Sequence, residues 1–493
     1  MKAVVSDVMS KRRSTSEMAA KHFKSLRDLL AHLEAHGKLR HVREEVDKDW
    51  EISCVTRNLM AEPPGKRYAL QFDRIKGYQT PVVTGALGAS HEIYAMALGV
   101  PMKDGRIDKS SIHETWVRAL ANPRPCVVVQ NAPCKENVAK GKKVNLLDFP
   151  IPTWTPGKDI GPYLSAGCVI QKDPETGIQN CGVYRGMIQS ENRIGILIQP
   201  GKHSWLIYQK YEKLDQPMEI AVVISPPPYV AMTAVGRVPF GVDELTVAGG
   251  LAGAPVGVVR CETVDLLVPA HSEMIIEGIV RPGVREPEGP FGEFFGYMGP
   301  QVKSPVIEVS AITYRDGTIH QGFQEQFPPS EGSTIKDIAM ESLLLGALRQ
   351  MGIPGVLDVH VHPMSCQQHV VVRTKPQFAA HARAVMSGVW GVYPNRAKQV
   401  IVVEDDCDIY DDGAVAWHLA TRVQPQRDVV IWRDGTGIQL DPSMPRETCN
   451  SGSKIGIDAT KSVSYPPLSL PAPELLKQAR DQWAKYGLPG LSE

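Results

Sequence analysis

The stretch Glu288-Gly289-Pro290-Phe291-Gly292-Glu293 carries two carboxylates on either side of a short turn, with Arg285 and Glu286 just upstream. Pro290 fixes its own φ and restricts Gly289, and the glycines let the backbone bend where a Cβ would clash. Such a turn can hold two acidic groups at a set separation. Paired carboxylates in different surroundings can divide acid and base work, the buried one keeping its proton near neutrality. A solvated surface turn with two glutamates would show the same spacing, so the rest of the chain has to decide between them.

Three segments of the middle of the chain add polar residues that its strand pattern does not require. Asn180 and Arg185 stand on one run, His203 follows Pro200-Gly201-Lys202, and Glu244 sits in Gly241-Val242-Asp243-Glu244-Leu245. Amide, imidazole and carboxylate make a mixed N/O set that suits Mn²⁺ or Mg²⁺, with water or phosphate oxygens completing about six sites. His360-x-His362, on an expected strand, would turn both imidazoles to one face and could bind zinc; with no third ligand placed, a packed or interface pair is the plainer reading. Asp405-Asp406-x-Asp408 and Asp411-Asp412 lack the glycine and terminal glutamate of a calcium loop and read as a strand end and a helix N-cap. Neither G-x-G-x-x-G nor a P-loop is present, so a nucleotide-like cofactor must be held another way.

The elements that must position these groups belong to a chain of 493 residues, long enough for two or three domains. Lys plus Arg equals Asp plus Glu at 54 each, so no strong field favours nucleic acid or an anionic membrane. No apolar run approaches the ~18–20 residues of a membrane span. Residues 1–24 mix Lys11-Arg12-Arg13 with Asp7 and Glu17 and lack an apolar signal-peptide core. The nine cysteines are odd in number, scattered and free of C-x-x-C, which points to a reducing, cytoplasmic setting.

Ser25-Leu26-Arg27-Asp28 reads as a capping box, Leu26, Leu29, Leu30 and Leu33 as an apolar stripe, and Gly37 as the stop. Strands near Tyr68–Phe72 and Val82–Gly85 and a helix near Glu92–Leu98 complete a small α/β domain over 1–120, in which nothing looks chemical. From Cys126 the pattern changes to short β runs: Cys126–Val129, Gly167–Gln171, Arg185–Gln189, Ile194–Ile198, Ile220–Ser225, Val258–Cys261, Met274–Val280 and Val306–Tyr314. This density over 121–330 predicts a barrel or sandwich. A buried linking helix is expected over 331–352, from the apolar spacing in Thr334–Met351. An α/β domain follows over 353–470, with strands at Gly355–His362, Val370–Arg373 and Gln399–Val403 and helices at Gln377–Trp390 and Ala414–Arg422. The tail, 471–493, carries an amphipathic helix at Pro473–Tyr486 that is expected to dock on a neighbouring subunit or on its own core.

Six segments resemble the UbiD family of prenylated-FMN-dependent reversible decarboxylases. They are Asn180-Cys-Gly-Val-Tyr-Arg-Gly-Met187, Pro200-Gly-Lys-His203, Asp243-Glu-Leu-x-x-Ala-Gly-Gly250, Cys261-Glu-Thr-Val-Asp-Leu-Leu-Val-Pro-Ala270, Glu288-Gly-Pro-Phe-Gly-Glu293 and Gly452-Ser-Lys-Ile-Gly-Ile-Asp-Ala-Thr460. The resemblance covers residues 25–465, in family order. It implies an α+β multidomain fold with a central flavin-reductase-like split β-barrel. It implies that Asn180, His203 and Glu244 bind a divalent metal, usually Mn²⁺, that clamps the cofactor phosphate, with K⁺ close by against carbonyls near Thr233–Gly236. Tyr184, Arg185 and Lys202 join the cofactor-binding set, and Arg185, Glu288 and Glu293 form the catalytic network. In the family a covalent substrate–cofactor adduct loses CO2 and a glutamic acid protonates the carbon, a role that falls on Glu293. A flavin prenyltransferase would supply the cofactor, and a dimer or hexamer is expected.

Phe294, His320 and Lys336 are the candidate pocket residues, and an aromatic or heteroaromatic acid is the expected substrate. Two other readings stand beside this one: a flavin-binding oxidoreductase on the same barrel, and a metal-dependent hydrolase built on His360 and His362.

Overall fold

The computed structural model describes residues 23–444, 451–461 and 463–489. Asp7, Lys11-Arg12-Arg13, Glu17 and Cys449 lie outside the described residues. The first element is the helix Leu26–Ala35, where the Ser25 hydroxyl accepts from Asp28 N and the Asp28 carboxylate accepts from Ser25 N. Its four leucines are buried, and Gly37 follows at φ +69°, a conformation that costs glycine little.

Strands Leu39–Val46, Ala69–Ile75 and Val82–Thr84 form a sheet that His320–Gln321 joins in parallel with Val82 and Val83, so the chain returns to its first unit after the middle segment. Two helices of this region, Glu51–Ala61 and Lys109–Ala121, were not expected. The first hides Ser53 and Thr56 beside Ile52 and Met60. A buried face that is half small and polar escapes an apolar-spacing rule; Thr56 satisfies its hydroxyl on Ile52 O.

The middle of the chain folds into a nine-stranded antiparallel sheet. The order is Gln179–Val183, Cys168–Lys172, Met218–Ile224, Met274–Val280, Val306–Tyr314, Arg193–Ile196, Gly186–Ser190 and Tyr163–Leu164, with Asn137–Lys140 added beside Val306–Tyr314. The run expected to carry both Asn180 and Arg185 is therefore two strands, lying towards opposite ends of the sheet. Only Tyr184 and Arg185 connect them, and three peptide steps span at most about 11 Å. The sheet must curl until its ends nearly meet, and Arg185 stands at that seam. Val169, Ile194, Ile220, Val222, Ile276 and Ile307 belong to one apolar core within it.

The helix Glu331–Gln350 is buried along most of its length and leads into a five-stranded sheet. Its strands His369–Thr374, Gln399–Val403 and Ser451–Ala459 run parallel, and the valine-rich runs of the first two suit burial on both faces. The helix expected from Gln377 begins only at His381, after Ala380 at φ +61°. Asp411 caps the helix Asp412–Arg422 by accepting from Gly413 N. In the tail helix Pro473–Asp481 no residue is buried, so it does not dock on its own core. No helix among the described residues is long and apolar enough to cross a membrane.

Candidate active site

Tyr184 folds back over Gly182, where a Cβ would lie 2.8 Å from its ring, and its hydroxyl accepts from Ser204 N at 3.3 Å. Arg185, the next residue, meets Glu288 through two bonds: Nε donates to Oε1 at 2.9 Å and Nη2 to Oε2 at 2.7 Å. Its remaining Nη1 donates to Glu293 Oε1. One guanidinium therefore divides its fork between two carboxylates, as a planar five-donor group can and an ammonium cannot.

Glu288 is fully buried, while the Glu293 side chain keeps 15% of its surface exposed. Burial pushes the Glu293 carboxyl above its ordinary range, against the opposing pull of Arg185. Burial acts against the Arg185 charge, but Glu288 and Glu293 outweigh it and the guanidinium is held above its usual value.

The turn between the two glutamates needs its glycines. Gly289 has φ +88°, and a Cβ there would fall 2.8 Å from Pro300 O; Phe291–Gly292 pairs with Met298–Gly299 in a short antiparallel ribbon, and a Cβ on Gly299 would fall 3.2 Å from Glu293 Cγ. Asp159 anchors the ribbon from behind, accepting from Gly292 N at 3.2 Å and Thr155 N at 2.6 Å, with burial raising its carboxyl to about 6. Asp159 was not singled out in the sequence; its place next to the ribbon arises only on folding.

Asn180, His203 and Glu244 come together from a strand, a helix start and a second helix start. Asn180 Nδ2 donates to Glu244 Oε1 at 2.6 Å and lies 3.1 Å from His203 Nδ1, which is 3.5 Å from the same carboxylate oxygen. Donor atoms around a six-coordinate cation of this size sit about 3 Å apart, so the spacing fits one face of such a site. A cation would need the Asn180 carbonyl rather than its NH2 on this side. The neighbourhood can accept that turn: Gln171 donates to Asn180 Oδ1, and its own Oε1 is buried without a partner, ready to accept from Asn180 Nδ2 once both amides rotate.

Lys202 precedes His203, Arg237 and Arg396 act on this lysine with their charges, and Lys454 of the C-terminal unit donates to Arg396 O. None of the four has an acidic partner among the described residues. Partial loss of water and the charges of Arg396, Lys336 and Arg237 lower Lys202, while burial lowers Arg396 to about 10 and Lys454 to about 8. Cations left unpaired like this suit an anion arriving from outside, such as a phosphate.

Among the pocket candidates, the structure brings two together. Lys336 Nζ lies 4.4 Å from the centre of the Phe294 ring, and Phe294 follows Glu293 in the chain. His320 lies on the strand paired with Val82, fully buried with neither ring nitrogen hydrogen-bonded, and burial lowers it to about 4. No hydrogen bond, ion pair or ring contact among the described residues links it to Lys336 or Phe294.

His360 and His362 share no ligand atom. His360 Nδ1 is 2.8 Å from Glu341 Oε1, whereas His362 uses Nε2 on Asp412 and accepts from Met364 N at Nδ1. The two imidazoles thus turn to different carboxylates, and no third ligand joins them among the described residues. Glu404, Asp405 and Asp406 cluster as acids, but Arg422 and Lys461 already neutralise Asp406.

A second charged cluster went unnoticed in the sequence. Lys109 Nζ lies 3.1 Å from Glu341 and from Asp358 and donates to Tyr410 OH at 2.7 Å and to Val359 O. The available signal was Glu341 itself, an acid set among Ile338, Leu344 and Leu345 on a buried helix.

Profiles of the 3-octaprenyl-4-hydroxybenzoate carboxy-lyase domains match in sequence order: the N-terminal domain over residues 30–110, the Rift-related domain over 127–325 and the C-terminal domain over 334–459. The chain belongs to the UbiD family. It is thus a carboxy-lyase of that family, and solved UbiD-class enzymes superpose on nearly its whole length. HmfF from Pelotomaculum thermopropionicum, in complex with FMN, is 37% identical with a TM-score of 0.82, covering 92% of this chain and 98% of its own. Vanillic acid decarboxylase from Sedimentibacter hydroxybenzoicus is 30% identical with a TM-score of 0.79, covering 94% and 100%. The 3,4-dihydroxybenzoic acid decarboxylase of Enterobacter cloacae is 26% identical with a TM-score of 0.78, covering 92% and 99%. An evolved dimeric HmfF has been solved with prFMN.

Proposed function

We propose that this UbiD-family enzyme is a non-oxidative, reversible decarboxylase of an aromatic or heteroaromatic carboxylic acid, or an α,β-unsaturated one, working with prenylated FMN. The observation that carries this reading is Arg185 clamped between Glu288 and Glu293, with burial raising the Glu293 carboxyl. The vanillic and dihydroxybenzoic acids named for two relatives support an aromatic substrate.

Prenylated FMN, when bound, supplies an electron sink that no side chain offers. Asn180, His203 and Glu244 would hold Mn²⁺ or Mg²⁺ against its phosphate, with Lys202 and Tyr184 alongside and K⁺ near the carbonyls of 233–236. In decarboxylation the carboxylate leaves as CO2 and the carbon takes up one proton. Glu293 gives that proton and regains one from water; Arg185 fixes its direction; Glu288, fully buried on the other edge of the guanidinium, keeps the arginine charged and in place. We read the curled sheet as a split barrel spanning 121–330, between the units 1–120 and 353–470. The eight described cysteines are all free, which supports a reducing compartment such as the cytoplasm.

The test is protein produced with a flavin prenyltransferase and incubated anaerobically with acrylic, phenolic and heteroaromatic acids. One class should lose the mass of CO2, and His203→Ala should lower bound manganese about tenfold or more as read by elemental analysis. A chain that binds no prenylated flavin would overturn the proposal. Activity surviving in Arg185→Ala would favour the flavin oxidoreductase instead.

The tail helix leaves Leu475 and Leu476 in solvent, and we read it as a contact with another copy of the chain. Truncation after residue 470 should lower the number of subunits per particle in sedimentation; an unchanged number would exclude this contact.

A further inference from the structure

Lys336 occupies a central place that the decarboxylase reading leaves unexplained. Its ammonium lies over the Phe294 ring, its charge acts on both Glu293 and Lys202, and it donates to Glu325 Oε2 at 2.7 Å. It therefore stands between the carboxylate that would deliver a proton and Lys202, which precedes His203 of the triad. Both partners reach solvent, Lys336 with 31% and Glu325 with 18% of the side chain exposed. The Glu325 carboxylate is seated on the first turn of the helix Glu331–Gln350, so closely that a Cβ on Gly332 would collide with Oε1. That position at a helix N-terminus favours an anion. On either side of Glu325, Gln324 Oε1 and both amide atoms of Gln326 are buried and unpartnered, and Gln326 Cγ lies 2.9 Å from where a Gly292 Cβ would be.

We infer that Glu325 and Lys336 act as one charge-balanced pair that selects the acid's ring substituent, accepting a hydroxyl and turning away a second carboxylate. This rests on the decarboxylase reading above. A hydroxyl both donates and accepts, so it can bridge the Glu325 oxygen and the Lys336 ammonium without breaking their pairing. A second carboxylate only accepts. It can approach Lys336 only beside the negative charge of Glu325, at a separation where like charges in a partly dry cleft oppose each other strongly. An isolated Lys336 would have favoured the dicarboxylic acid; Glu325 reverses that preference.

The experiment compares kcat/KM of the cofactor-loaded enzyme for 4-hydroxybenzoic acid against benzene-1,4-dicarboxylic acid, and for 5-hydroxymethyl-2-furoic acid against furan-2,5-dicarboxylic acid. Calorimetry on the same acids gives Kd beside turnover. Glu325→Gln should move the ratio towards the dicarboxylic acid by about tenfold or more, and Lys336→Met should move it by a similar factor the other way. Opposite shifts from neighbouring substitutions are not what loss of folding produces, and either variant alone reads the sign. CO2 release with ratios unmoved in the variant that folds overturns the pair's role and leaves the decarboxylase reading intact. No CO2 from any acid overturns both.

Discussion

Glu293→Gln should bind cofactor and metal as the parent does while turnover falls about 10²–10⁴-fold, the usual range for losing a general acid. The amide matches the carboxyl in size and can still accept from Arg185 Nη1, so the ribbon Phe291–Gly292 and the bidentate Arg185–Glu288 contact should persist. What it lacks is a proton that leaves near neutral pH. The parent's rate should show the same requirement in its pH profile. Because burial raises the Glu293 carboxyl, the acid form survives to higher pH than an exposed glutamate would allow, and turnover should decline as pH rises through that value. The measurement is single-turnover decarboxylation by stopped flow, with cofactor occupancy read from absorbance. A variant with unaltered rate and full occupancy would remove Glu293 from the chemistry. Arg185→Ala would be a poorer probe, since it leaves Glu288 buried without a cation.

Lys109→Ala should destabilise the protein by about 3–5 kcal/mol, the cost of leaving a buried charge without its partner. Glu341 is 1% exposed, and burial alone would raise its carboxyl; Lys109 and His360 reverse that and hold it at about 2. Without the ammonium, Glu341 must keep an uncompensated charge or take up a proton. Its contribution has a defined pH window. Glu341 is depressed below the ~4.3 of an unfolded glutamate, so the stabilisation is present above that value and fades as pH falls towards about 2. Acid unfolding of the parent should thus be steep between about pH 4.5 and 2 and shallower in Lys109→Ala. Because the cluster joins Lys109–Ala121, Glu331–Gln350 and Val356–Val361, loss should appear as earlier release of the C-terminal sheet in hydrogen exchange. Equal midpoints in urea for parent and variant would show the cluster to be energetically idle.

Local order was legible in the chain because it depends on neighbours. Met274–Val280, Val306–Tyr314 and Gln399–Val403 form strands with the bounds read from their apolar runs, and Ser25 with Asp28 caps the first helix through bonds three residues apart. The two carboxylates of the catalytic candidate lie five positions apart on one turn, so their pairing could be proposed at once; Arg185 and the Asn180–His203–Glu244 set could be proposed because their segments resemble a known family. The helix Glu51–Ala61 was missed because small polar residues fill part of its buried face. What the tertiary structure alone decided are contacts between residues whose separation along the chain carries no pattern. Lys109 meets Asp358 from 249 positions away, Asp159 reaches Gly292 from 133, and Glu325 takes the Lys336 ammonium that the sequence left open to a substrate. The curl of the middle sheet set Arg185 at its seam, and the return of His320 to the first sheet took that histidine away from the Phe294–Lys336 cluster. A charge in the sequence shows only that a partner is needed once it is buried; which partner it finds is settled by the packing of elements that have no local knowledge of one another.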